Sequence, residues 1–225
     1  MRYDHTVPGI FEERKNRFIA QVWVKGQLET VHVKNTGRCR ELLLCGADVI
    51  LERSEKENRK TKYDLIGVYK KNLGWVNIDS QAPNRVMGEW LKQQDFTLIR
   101  SEYKYGDSRI DFYMEKGEER YLLEVKGCTL EVNGKGIFPD APSERAAKHV
   151  RELEKAVSCG YHSVVAFVLP MGGVTEVTAN TVTDPKFALA LEEAYRAGVE
   201  VWYLPCRVTE NTLEITERIK RRSKS

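Results

Sequence analysis

The stretch Ser108-Arg-Ile-Asp-Phe-Tyr-Met-Glu-Lys-Gly-Glu-Glu-Arg-Tyr-Leu-Leu-Glu-Val-Lys126 carries the most information in the chain. Two strand-like runs, Ser108–Met114 and Tyr121–Lys126, flank the polar loop Glu115–Arg120, which suits a hairpin with an exposed tip. Strand side chains alternate, so Glu124 and Lys126 share a face about 7 Å apart, while Val125 points to the other. In the register that sets Asp111 opposite Glu124, Asp111, Glu124 and Lys126 converge. A one-residue slip turns Asp111 to the opposite face, and the sequence leaves that register open.

Two carboxylates and a lysine on neighbouring strands have a chemical use. Carboxylate oxygens bind Mg²⁺ (or Mn²⁺), with water in the remaining positions. The metal polarises a phosphodiester, and the ammonium group orients water or balances charge on the phosphate. The segment resembles the PD-(D/E)xK nucleases in this spacing. Asp111, Glu124 and Lys126 are thus the candidate catalytic set, with Asp111 and Glu124 as candidate metal ligands. Glu89, on the preceding helix, is a third candidate ligand, because these nucleases often supply another carboxylate from there. The same pattern also suits an ordinary ion pair on an exposed strand.

Outward from this hairpin the chain divides. Before it lie five strand-like runs: Phe18–Val24, Leu28–Val33, Ala47–Glu52, Tyr63–Lys70 and Trp75–Ile78. A short helix is expected over Arg40–Leu44. Five short strands in about 65 residues suggest a small barrel of the OB type, an architecture that binds single strands or oligosaccharides. From residue 84 the pattern is mixed. A helix capped by Asn84 runs to Gln94, and a strand covers Thr97–Tyr103. A second helix follows Ser143, and a strand covers Ser163–Leu169. Asp184-Pro185 opens a third helix, ended by Gly198, and Val199–Leu204 is a last strand. The reading is a mixed α/β chain. It has an OB-like barrel over residues 1–83, a nuclease-like α/β domain over 84–216 and a basic tail over 217–225.

Charge follows the same division. Residues 1–85 hold 16 basic and 11 acidic residues, net +5. Residues 86–216 hold 15 and 21, net −6, and residues 217–225 hold 5 and 1, net +4. Basic segments favour polyanions. Lys34, Asn35, Arg38 and Arg40 form one polar cluster, and Arg59, Lys60 and Lys62 a second. Arg145 and Lys148 lie on the helix after Ser143, in a stripe with His149 and Glu152. All are candidate phosphate contacts, and His149 is a candidate general base. The partner expected is DNA, with RNA open.

Other classes find no support. The 225 residues contain no run of 18 apolar residues, so no transmembrane helix is expected. The opening MRYDHTVPGIFEERKNR lacks an apolar export core, and five scattered cysteines without a CxxC pair suit a reducing cytoplasm. No helix-turn-helix, P-loop or zinc-ligand spacing is evident.

Several motifs occur together and in order. They are Asn35-Thr-Gly-Arg38, Arg59-Lys-Thr61, Ile78-Asp79 with Pro83-Asn84, Ser108-Arg-Ile-Asp-Phe112 and Glu124-Val-Lys126. Phe138-Pro-Asp-Ala141 follows, then Ser143-Glu-Arg145 and Lys148-His149. In this order and spacing the chain resembles the sugar fermentation stimulation protein A family, from about Gly9 to Tyr203. The resemblance implies an N-terminal OB-like domain and a C-terminal PD-(D/E)xK domain. It also implies DNA binding without strong sequence preference and a link to the regulation of sugar (maltose) metabolism. Ile110 stands where the nuclease motif has proline. Two functions follow as expectations: a Mg²⁺-dependent nuclease, or a non-cleaving DNA-binding regulator on a nuclease fold.

Overall fold

A computed structural model describes residues 1–35, 37–55 and 59–222. Thr36 of the first basic cluster and residues 223–225 of the basic tail lie outside the described residues.

The front of the chain holds six strands: β1 (Thr6–Arg14), β2 (Ile19–Val24), β3 (Gln27–Val33), β4 (Asp48–Arg53), β5 (Tyr63–Lys70) and β6 (Gly74–Asn77). They pair in the order β3-β2-β1-β4-β5-β6, and β3 also pairs with β5 in parallel, His32 opposite Asp64. That extra pairing closes β1 to β5 into a barrel, which removes the open edge that a five-stranded sheet would expose. The interior is filled by alternate residues, among them Val22, Val31, Val49, Leu51, Leu65 and Val68.

The expected number of barrel strands is right, but its membership is not. β1 carries Pro8-Gly9, a turn signal, and escapes a reading from sequence pattern. The run at Trp75 is β6, which extends the sheet beyond β5 instead of closing it. Gly9 is needed because the neighbouring strand comes close: an added Cβ would lie 2.6 Å from Val22 Cγ1. Arg40–Leu42 forms a turn, not a helix.

The second part is built on a mixed sheet. After α1 (Ala82–Leu91) come β7 (Leu98–Tyr105), β8 (Ser108–Lys116) and β9 (Glu119–Gly127), then the short β10 (Glu131–Val132) and β11 (Lys135–Phe138). α2 (Glu144–Ser158) leads to β12 (His162–Leu169) and β13 (Val177–Ala179). α3 (Pro185–Arg196) leads to β14 (Glu200–Val208), β15 (Leu213–Ile215) and β16 (Ile219–Lys220). The sheet runs β15-β14-β12-β9-β8-β7, antiparallel through β7, β8 and β9 and parallel through β9, β12 and β14. The β8–β9 turn is tight, with only Gly117 and Glu118 between strands, and Gly117 takes φ 60°.

Each face of this sheet is covered. Val86, Met87 and Leu91 of α1 pack on Met114, Leu123 and Ala166. Ala146, Val150 and Leu153 of α2 and Phe187 and Leu191 of α3 pack on the other face, with Leu122, Val165 and Phe167. The expected helix caps at Ser143 and Asp184 are present: Ser143 accepts from Ala146 N, and Asp184 accepts from Phe187 N. Asn84 is not a cap. α1 begins two residues earlier, with Pro83 in its first turn, and frees the Asn84 side chain for another contact.

The described residues at both chain ends pack on the second part. The Met1 amine donates to Leu213 O, and Tyr3 N donates to Asn211 O, so the first residues lie on the second part. The basic tail docks as β16 against β14, and Arg221 pairs with Glu192 at 2.6 Å. Among the described residues no helix is long and apolar enough to cross a membrane.

Gly9→Val should overfill the contact between β1 and β2 and destabilise the protein by about 1–3 kcal/mol. Urea unfolding followed by circular dichroism measures this, and an unchanged midpoint would remove the close-approach argument.

Candidate active site

The register of the central hairpin is the one that gathers the three groups. Phe112 pairs with Leu123 as the last pair of that ladder, and just beyond it Asp111 lies close enough to feel the Glu124 charge. There the ladder gives way to the side chain: Val125 N donates to Asp111 Oδ2 at 2.7 Å. Asp111 Oδ1 accepts from Asn84 Nδ2 of α1, also at 2.7 Å. Gly127 permits α1 to approach β9, since an added Cβ would lie 2.6 Å from Pro83 Cγ.

Glu124 is held from the opposite face. It is 3% exposed, and its Oε1 lies 2.7 Å from Lys126 Nζ and 2.5 Å from His149 Nδ1. Arg145 Nε donates to His149 Nε2 at 3.4 Å. With Nε2 accepting, the Nδ1 proton is assigned to the Glu124 bond. His149 therefore faces Glu124 and positions it, where sequence alone suggests a general base. Glu124 Oε2 is buried with no hydrogen-bond partner among the described residues.

The electrostatics of the two carboxylates differ. Burial pushes the Asp111 carboxyl up to about 6, and the nearby Glu124 charge adds to this against the Val125 and Asn84 hydrogen bonds. Burial also opposes ionisation of Glu124, but the His149 hydrogen bond and the Lys126 charge outweigh it and hold its pKa below the usual carboxylate value. One carboxylate is thus firmly charged and the other resists charging beside it. A buried Oε2 without a donor and a second carboxylate repelled by the first form a donor set that suits a hard divalent cation. Among the described residues no group of three or more His, Cys, Asp or Glu is gathered for a metal. Asp111 and Glu124 would therefore be the two protein ligands, with water completing the shell, as is usual for Mg²⁺.

Glu89 is not brought to this pair. It lies on the exposed side of α1 and binds the Met1 amine at 2.7 Å. The basic candidates divide into two groups. Lys34 is tied to buried Asp79 at 2.8 Å and to Glu52 at 3.6 Å. Arg59 makes a two-pronged pair with Asp64, at 2.8 and 2.5 Å. Asn35 donates to Ile78 O and accepts from Gly37 N, which shapes its own loop. These three are engaged by partners within the first part of the chain. Arg38, Arg40, Lys60, Lys62, Arg145 and Lys148 are exposed, Lys62 only 3.8 Å from Glu29.

Two residues of the framework escape sequence reading. Arg14 donates to the carbonyl oxygens of Asn16, Arg17, Asn35, Gly37 and Arg38, and so fastens the loop that bears Arg38. Asp140 accepts from Arg38 N at 3.0 Å and brings this loop to a cleft of about 250 Å³ that Lys126 also lines. The motif Phe138-Pro-Asp-Ala141 is visible in the sequence, but its partner across 102 residues is not.

A closed barrel of OB type is joined to a mixed sheet-and-helix part that carries two carboxylates and a lysine at the centre of its sheet. Residues 13–78 match the family description "SfsA N-terminal OB domain", and residues 81–212 match "Sugar fermentation stimulation protein RE domain". The chain belongs to the sugar fermentation stimulation protein family. It is 48% identical over 217 residues to the "Sugar fermentation stimulation protein homolog" of Desulfitobacterium hafniense (strain Y51), covering 95% of each chain. It is 43% identical over 224 residues to the homolog of Ruminiclostridium cellulolyticum, covering 98% of this chain and 99% of that one. Among solved structures it is similar to "The structure of Pyrococcus Furiosus SfsA in complex with Ca2+". The TM-score is 0.81 at 28% identity, covering 98% of this chain and 95% of that one.

The electrostatics predict a pH-dependent stability. The Asp111 carboxyl titrates near 6 when folded and near the ordinary value of about 4 when unfolded. The folded state therefore holds this proton more tightly, and stability is lost as pH rises from about 4 through 6. In chelator, Asp111→Asn should be more stable than wild type at pH 7.5 by about 1–3 kcal/mol. At pH 4 the two should converge. The Asn84 amide can turn to satisfy the new side chain. Thermal melts at both pH values check this, and a constant difference would refute the stated cause.

Proposed function

We propose that the chain is a divalent-cation-dependent phosphodiesterase that acts on DNA bound largely without sequence preference. The observation that carries the reading is the unpartnered Glu124 Oε2 beside Asp111, in reach of the Lys126 ammonium. A structural ion pair would not need a second carboxylate forced against the first, because that costs stability at neutral pH. The family description "RE domain" supports the same reading, as does the Ca²⁺ complex of the similar Pyrococcus furiosus protein.

Asp111 and Glu124 would hold Mg²⁺ (or Mn²⁺), which supplies phosphate polarisation and a water of lowered pKa. Asn84 and Val125 N fix the Asp111 carboxylate, and His149 with Arg145 fixes Glu124. Lys126, held against Glu124, places a positive charge where negative charge builds on the phosphate. The exposed Arg38, Arg40, Lys60 and Lys62 of the barrel, with Arg145 and Lys148 of α2, meet backbone phosphates. Such contacts do not read bases, so binding is weakly selective and strongly dependent on salt. RNA carries the same phosphates and belongs in the same test.

The test is cleavage of single- and double-stranded DNA and RNA with Mg²⁺ or Mn²⁺, alongside binding at low and moderate salt, about 50 and 200 mM. Lys126→Ala should slow cutting by about 10²–10³-fold. Glu124→Gln should abolish it and leave binding close to wild type. Unchanged cutting in both variants would overturn the site. Salt-sensitive binding without any cutting would overturn hydrolysis and leave a DNA-binding regulator on a nuclease fold.

A further inference from the structure

His149 has two sides. One meets Glu124, and the other lines a separate recess of about 480 Å³ formed by Asp107 of the β7–β8 turn, by Ser108 and Arg109 at the start of β8 and by Glu144, Arg145 and Lys148 of α2. Its charge is not balanced internally. Lys148 Nζ meets only a backbone oxygen, Asp107 O, at 3.3 Å, and Arg145 turns its Nε to the His149 ring. Arg109 has a loose contact, 3.7 Å, to the exposed Glu102. No ion pair to a carboxylate is made by Arg145 or Lys148 among the described residues. The Ser108 hydroxyl, on a residue 7% exposed, is buried in the wall with no hydrogen-bond partner among the described residues.

Three cations and an unsatisfied hydroxyl around one recess are the donor set for a tetrahedral oxyanion. The carboxylates of Asp107 and Glu144 on the rim oppose an anion but are outnumbered. We infer that this recess is a phosphate-binding pocket. It takes the phosphate of a polynucleotide strand next to the one presented to Asp111, Glu124 and Lys126. The His149 ring both lines the recess and bonds Glu124, so a strand seated here is fixed in register against the carboxylates. Two sources share this chemistry: the terminal 5′-phosphate of a strand, or an internal phosphodiester. The inference rests on the phosphodiesterase reading for its meaning, but phosphate binding itself needs no metal.

The experiment is titration in EDTA of the full chain with inorganic phosphate, then with short oligonucleotides bearing a 5′-phosphate or a 5′-hydroxyl. Binding is followed by the NMR shifts of the His149 ring. Wild type should show saturable shifts. Lys148→Glu should weaken binding at least tenfold, and Ser108→Ala about threefold without loss of thermal stability, because its hydroxyl makes no bond. Glu124→Gln should bind phosphate like wild type. A tenfold preference for the 5′-phosphorylated strand identifies the terminal group, and equal affinity identifies an internal phosphodiester. Absence of saturable shifts in wild type, or Lys148→Glu binding as tightly as wild type, overturns the pocket. If phosphate binds but no nucleic acid is cut with metal, the hydrolytic reading fails and the pocket stands.

Discussion

The second half of this protein is organised around one buried charge. Glu124 sits in the central hairpin with almost no access to solvent, and its ionised form persists because Lys126 and His149 both meet Oε1. Removing water from a carboxylate is expensive, and the cost is tolerable only with well-placed partners. Those partners come from different places. Lys126 is two residues along the same strand, and His149 comes from α2, which must pack on the sheet for the contact to exist. The apolar contacts of Ala146, Val150 and Leu153 therefore also set the state of the carboxylate. On the other face, α1 brings Asn84 to Asp111.

This geometry explains why part of the site is legible in sequence and part is not. The spacing of Glu124 and Lys126 is a local property of a strand, fixed by period-two alternation. The place of Asp111 is different: it depends on the hairpin register, which the sequence leaves open and the tight link between β8 and β9 sets. Asn84 reads as a cap because its side-chain chemistry suits that role; Pro83 places the start of α1 earlier and releases it. Glu89 reads as a metal ligand, but nothing in a helix pattern foretells that the chain's own amine folds back to it. The role of His149 depends on a contact across 25 residues, and no local periodicity reports that.

The barrel shows a similar limit. Turn signals in Pro8-Gly9 hide β1, although the glycine is there because β2 approaches closely. Net charge by segment is equally coarse. Lys34 and Arg59 contribute to the basic front, but both are spent on Asp79 and Asp64 inside the structure. Counting charges cannot separate a lysine that closes a barrel from one that waits for a phosphate. The distinction is one of pairing, and pairing is a tertiary property.

Pairing also shows how the two parts act together. Arg14 gathers five carbonyl oxygens around the loop that carries Arg38, and Asp140 from the second part accepts from that loop's backbone. The contact with Asp140 is charge-assisted, which makes it stronger than a neutral hydrogen bond and fixes the loop's direction. The barrel loop, the cleft beside Lys126 and the hairpin therefore form one continuous assembly. The segment that exposes Arg38 is bonded to the wall of the cleft that Lys126 lines. The same polar motifs that look like separate nucleic-acid contacts in sequence serve here first as the joint between domains.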